Sequence, residues 1–175
     1  MKNRKNLVEG ALLIALSVIL TRFFSIKVSF GGVDGVRIGI GTLPIILAGL
    51  RSGIFQGARV GALADIIGYF LSPGGAYMPH FTLTSALNGI LPPVLIGKKE
   101  KLNPYRITIA VVLTQLVISM FLVPYFLNIL FGIPYQVIFL PRLISFMINV
   151  TVMNVILIIL HRRIDVFSVK GALAH

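Results

Sequence analysis

Six apolar runs dominate this chain, at roughly residues 7–26, 38–50, 54–71, 81–97, 106–131 and 134–161. A helix that crosses a bilayer needs about 20 mostly apolar residues, fewer where neighbours cover it. The second run is short, and only Gly132-Ile133-Pro134 separates the last two. Merging the second and third runs would leave five spans. Arg51-Ser52-Gly53 argues against that, because a charge followed by glycine between apolar runs reads as a tight turn at a membrane surface. The expected fold is an all-α integral membrane protein with six transmembrane helices. Residues 1–170 form a single membrane domain, and 171–175 are a tail outside the fold.

Composition leaves little room for another class. Of 175 residues 57% are hydrophobic and 12% charged, against about 25% charged in soluble domains. A water-soluble enzyme lacks that much apolar character, and a disordered chain lacks it even more. Without cysteine there are no disulfides, thiolate metal sites or thiol nucleophiles. The basic start and apolar run of the N-terminus imitate a signal peptide. Thr21, Arg22 and Phe23 follow the run in place of a small-residue cleavage pattern, so it is read as a retained first helix.

The net charge of +11 would point to nucleic acid in a soluble protein, but here the cations flank apolar runs. Lys2, Arg4, Lys5, Arg51, Lys98, Lys99, Lys101, Arg106, Arg162, Arg163 and Lys170 fall on the side of the two termini. Lys27 and Arg37 fall on the other. The positive-inside rule places both termini in the cytoplasm of a multi-pass plasma-membrane protein. The external loop 27–37 is glycine-rich and expected to be irregular, and 72–80 is expected to be a compact turn-rich loop.

Polar groups within spans are costly and mark function or packing seams. In the last helix Arg142, Ser145 and Asn149 share a face. In the fourth, Phe81, Thr84/Ser85 and Asn88 do so, fed by Tyr77 and Pro79. An aromatic beside amides and hydroxyls suits a flat heteroaromatic ligand, and packing seams are the competing explanation. Arg22 lies near the outer end of the first helix beside Phe23 and Phe24. Two guanidiniums near one face, Arg22 and Arg142, with few acids, favour an anionic ligand. Asp65 is the acid clearly inside a span and ends the stripe Gly53-Gly57-Gly61-Asp65. The glycines are assigned to close helix packing, and Asp65 to a structural pairing with a basic group or backbone donors on another helix, with a proton-relay acid as the alternative. Ala11 and Ala15 permit close approach of a partner. Arg22 lies about 20° from Ala11 at about 100° per residue, so the first helix must bend, break or tilt if the two serve different faces. His80 is assigned to a loop. Metalloprotease, nucleophile-elbow and phosphate-loop motifs are absent from the sequence.

Three stretches make the chain resemble a family. They are Arg37-Ile-Gly-Ile-Gly-Thr-Leu-Pro-Ile-Ile-Leu-Ala-Gly, Gly61-Ala-Leu-Ala-Asp-Ile-Ile-Gly-Tyr, and Ser72-Pro-Gly-Gly-Ala-Tyr-Met-Pro-His-Phe-Thr-Leu-Thr-Ser-Ala-Leu-Asn-Gly. With Pro141-Arg142-Leu-Ile and Ala11-x-x-x-Ala15, they resemble the folate-family substrate-binding (S) components of energy-coupling factor (ECF) transporters. The resemblance implies a non-enzymatic vitamin-capture protein with folate or a reduced folate as ligand and no cofactor. It implies a transmembrane coupling (T) subunit and two ABC-type ATPases as partners, which hydrolyse the ATP. It assigns Arg22, Phe24, Tyr77, Phe81, Ser85, Asn88, Arg142 and Asn149 to the ligand, Ala11 and Ala15 to docking, and Asp65, Gly57 and Gly61 to structure. Ser52-Gly53-Ile54 and Pro79-His80-Phe81 depart from the usual pattern. An S component for another vitamin or pterin, a stand-alone carrier and a non-transporting membrane scaffold remain alternatives.

Overall fold

The computed structural model describes residues 2–30, 33–72, 77–97 and 103–163. Among them are six helices and a two-stranded hairpin. The helices are α1 (Lys2–Arg22), α2 (Leu43–Ser52), α3 (Ile54–Leu71), α4 (Pro79–Ile96), α5 (Pro104–Phe131) and α6 (Tyr135–Arg163). The hairpin pairs β1 (Ser25–Phe30) with β2 (Val33–Gly39). By length and composition, α3, α5 and residues Tyr135–Leu160 of α6 can each cross a membrane, and α2 is apolar but shorter. The proposed tail, 171–175, lies outside the described residues.

The segment expected to be an irregular loop is the hairpin. Ile26, Val28 and Phe30 alternate along β1, and β2 pairs antiparallel from Phe30↔Val33 to Ser25↔Gly39 with a bulge at Val28/Ser29. Branched and aromatic residues favour the strand. β2 packs along α6 and delivers the chain to α2, whose ten residues rise only about 15 Å at ~1.5 Å per residue. That is half of a ~30 Å hydrocarbon core. The second run is short because a strand occupies the other half of its path.

Backbone outside a helix or sheet at bilayer depth must find internal partners. Two side chains supply them. Asn149 Oδ1 accepts from Gly39 N–H at 2.9 Å, and buried Ser17 Oγ donates to Gly41 O at 2.7 Å. Ser25 Oγ donates to Thr21 O, tying β1 to α1.

Glycines set the helix spacing. A Cβ on Gly49 or Gly57 would overlap the carbonyl oxygen of Gly89, and one on Gly61 would overlap that of Ser85. α2, α3 and α4 therefore cross backbone to backbone. Gly53 (φ 91°) makes the one-residue turn from α2 to α3, a conformation that glycine reaches without steric cost. Beside it Arg51 pairs with Glu9 of α1 at 2.9 Å. α1 meets α3 along Gly10 against Gln56 and Val60, Val18 with Val60 and Ala64, and Arg22 over Gly68. The two helices run parallel, each residue of α1 level with the one 46 positions later. The contact stripe 10-14-18-22 winds across α1 because four residues overshoot a turn by about 40°. Ala11 is thus exposed, while Arg22, at nearly its azimuth, meets α3. Tilt of unbroken α1 against α3 accounts for both faces.

Gly57→Val is expected to force α3 from α4 and lower stability by about 1–3 kcal/mol, as overpacking does. Exposed Leu63→Val serves as the control. Thermal unfolding in detergent reads the difference, and equal midpoints would contradict the close crossing.

Candidate ligand-binding site

The polar residues gather toward the end of the bundle that carries the hairpin. Arg22 ends α1. Its Nη1 donates to Ser72 O at 2.8 Å, and its Nε would stand 2.9 Å from a Cβ on Gly68. A cation at the C-terminus of α3 also meets the negative end of the helix dipole. Glycine at 68 leaves room for the guanidinium.

Arg142 is 8% exposed on α6 and donates from Nη1 to Ser119 O at 3.3 Å. Ser119 belongs to a π-helical segment, Leu116–Leu122, within α5. Pro124, just beyond it, lacks the donor for the carbonyl of residue 120 and crowds it. A widened turn relieves that conflict and re-aims nearby carbonyls; such turns recur at functional sites. Ser145, one turn beyond Arg142, turns its hydroxyl back to Pro141 O at 2.9 Å.

On α4 the expected stripe divides. Asn88 is buried; its Nδ2 donates to Thr84 O at 3.0 Å and its Oδ1 accepts from Gln115 Nε2 of α5 at 3.1 Å. This is an interhelical lock. Phe81 packs against the cluster of Ile118, Val123, Leu127 and Ile138. Ser85 presents its carbonyl to Gly61. Phe24 is 69% exposed and Tyr77 40% exposed. Tyr77 Oη lies 2.8 Å from Thr82 Oγ1, which donates to Asp65 Oδ2 at 2.8 Å. Because Thr82 has one hydrogen, Tyr77 is the donor to it. Among the described residues Asp65 is thus met by a neutral hydroxyl on α4 rather than by a basic group. Hydroxyls stabilise a carboxylate without a second charge in lipid.

Backbone groups are among the partners of the nominated residues: Ser72 O for Arg22, Ser119 O for Arg142 and Gly39 N–H for Asn149. His80 is helical, not in a loop, because Pro79 starts α4 with the preset φ of a first helical position. Its ring lies 4.4 Å from Phe81 and 5.0 Å from Phe126. Ser17, Thr82, Gln115 and Ser119 were missed. Ser17, Thr82 and Ser119 carry no signal beyond ordinary membrane-helix composition. Gln115, a lone amide in an apolar run, could have been flagged.

A bundle with a buried arginine and amides toward one end is the build of a membrane-embedded solute-binding protein. A family model described as ECF-type riboflavin transporter, S component, matches residues 1–165. The chain belongs to this S-component family, whose members are transporter components rather than enzymes. It is 30% identical over 145 residues to the folate transporter FolT of Clostridium novyi (strain NT), covering 83% of this chain and 81% of that protein. A crystal structure of FolT bound with folic acid aligns with TM-score 0.78 at 28% identity, covering 91% of this chain and 93% of that one. A bacterial ECF transporter S component shares the fold, with TM-score 0.68 at 23% identity over 96% and 99% of the two chains.

Replacing Asn149 by Leu should leave the Gly39 N–H without its acceptor at depth, costing about 1–3 kcal/mol. Hydrogen exchange should quicken at Gly39 and along β2, and undisturbed protection there would contradict the role given to Asn149.

Proposed function

We propose that this chain captures folate, oxidised or reduced, at the external face of the plasma membrane and delivers it as the S component of an ATP-driven ECF importer. The chain does no chemistry itself. Two ABC-type ATPases would hydrolyse ATP and a transmembrane T subunit would couple them to the S component. Both termini face the cytoplasm in this reading, since the basic residues cluster on the side of the Gly53 turn, where the negative-inside potential and lipids favour them. The hairpin end then faces outward.

Arg142 carries the choice of ligand. Riboflavin, the vitamin in the family description, is neutral, whereas folate ends in a glutamate with two carboxylates. A buried guanidinium in the outward half of α6 favours an anion, to which it can offer a charge-assisted, forked hydrogen bond. Arg22, at the same end of the bundle, adds positive potential. Tyr77 and Phe24, both exposed near the hairpin end, are the aromatic surfaces proposed to meet the pterin and benzoyl rings. Phe81, Ser85, Asn88 and Asn149 act in this reading by holding α4, α5 and β2 in place around the ligand. Ala11 and Ala15, exposed on α1, are proposed to receive the T subunit.

Calorimetry on detergent-purified protein tests the reading. Folic acid should bind one to one, and riboflavin and thiamin should not compete. Arg142→Ala should weaken folate by about 10–100-fold, the worth of a charged hydrogen bond. Riboflavin binding in place of folate would overturn the ligand assignment. Folate binding unchanged by Arg142→Ala would remove the arginine from the site.

A further inference from the structure

Arg59 is a cation on the surface of a membrane-crossing helix, exposed, and among the described residues it makes no hydrogen bond or ion pair. A charge so placed on a lipid-facing helix is costly unless an anion meets it. Its position relative to α1 says which anion. The parallel register of α1 and α3, with Gly10 against Gln56 and Arg22 over Gly68, puts Arg59 level with Leu13, midway between Ala11 and Ala15. The side follows from handedness. On two parallel right-handed helices, the residue after a contact position on one and the residue before a contact position on the other emerge on the same side. Ala11 and Ala15 follow Gly10 and Ile14. Arg59 precedes Val60. All three therefore share one outer surface, walled by exposed Leu12, Phe55 and Leu63.

We infer that Arg59 is the charged anchor of the face on which the coupling subunit docks. It takes a carboxylate from a partner helix packed over Ala11 and Ala15. The inference rests on the docking reading above and adds to it a specific charge and its complement. The small side chains allow a helix to come close, and a carboxylate one turn along that helix would reach the guanidinium fork. Lipid phosphate is the rival. The Glu9–Arg51 pair lies level with position 55 of α3. Arg59 lies four residues further along, about 6 Å at ~1.5 Å per residue, a rise that a guanidinium can span toward a headgroup by snorkelling; its place beside Ala11 and Ala15 is what favours the partner carboxylate.

The test co-expresses the chain with its T subunit and ATPases, purifies the complex, and measures assembly and ATP-driven folate uptake in vesicles. Arg59→Lys, Arg59→Gln and Arg59→Glu are compared with Ala15→Trp. Folate binding by the isolated variants should match the parent, which also shows that they fold. Assembly should fall by about 10-fold or more in Arg59→Gln and further in Arg59→Glu, with Arg59→Lys retaining most of it. The same ranking should hold in vesicles of phosphatidylcholine alone. Normal assembly by Arg59→Gln and Arg59→Glu beside a failed Ala15→Trp would overturn the inference and leave the docking reading standing. Normal assembly by Ala15→Trp as well would overturn both. An Arg59 effect confined to anionic lipid would assign the guanidinium to a headgroup and overturn the inference.

Discussion

The architecture turns on a stretch of backbone that is not helical and yet lies at bilayer depth. From Gly39 to Thr42 the chain passes from β2 into α2 partway through the bundle. Lipid offers such backbone no hydrogen bonds, and each unmet group costs several kcal/mol. Asn149 from α6 and Ser17 from α1 supply an acceptor and a donor there, while β1 pairs with the rest of the strand. These bonds let α2 be half-length and bring β2 against α6. They also explain why an amide and a hydroxyl stand deep in apolar helices.

Around that entry the glycine crossings fix everything else. Gly49, Gly57, Gly61 and Gly89 bring three helices to backbone contact, so small changes in tilt are resisted by hard atoms rather than by side chains. The inclined stripe between α1 and α3 then sorts one helix into two uses. Near the Gly53 turn α1 shows alanines to the outside, and at the hairpin end the same azimuth meets α3 with Arg22. Helix crossing thus lets one straight helix expose small side chains near the Gly53 turn and close the hairpin end of the bundle.

Much of this was legible in the sequence. Apolar run length located the six helices to within a few residues, and Arg51-Ser52-Gly53 marked a real turn. The small-residue spacing of Gly57 and Gly61 matched their close approach to α4. The hairpin was hidden because Gly31-Gly32 and Gly35 suggested irregularity, although Ile26, Val28, Val36 and Ile38 carried the alternation of strands. Partners were the least legible part. Thr82 opposite Asp65, Gln115 opposite Asn88 and Ser119 opposite Arg142 come from helices distant in sequence. A polar residue's own neighbours do not say whether it faces a ligand or another helix. For the same reason the neighbours of Asn88 and Phe81 do not reveal that Asn88 bonds to Gln115 and that Phe81 packs on the cluster of Ile118, Val123, Leu127 and Ile138.

The account stands or falls on the pairing of Arg142 with the acidic end of the ligand. The most direct measurement is a cycle that crosses Arg142→Ala with folic acid and an analogue whose two glutamate carboxylates are amidated. Binding free energies for the four combinations isolate the coupling between side chain and carboxylates. The account predicts that amidation weakens binding strongly in the parent protein and much less in the variant. An equal loss in both proteins would contradict it and place the carboxylates elsewhere.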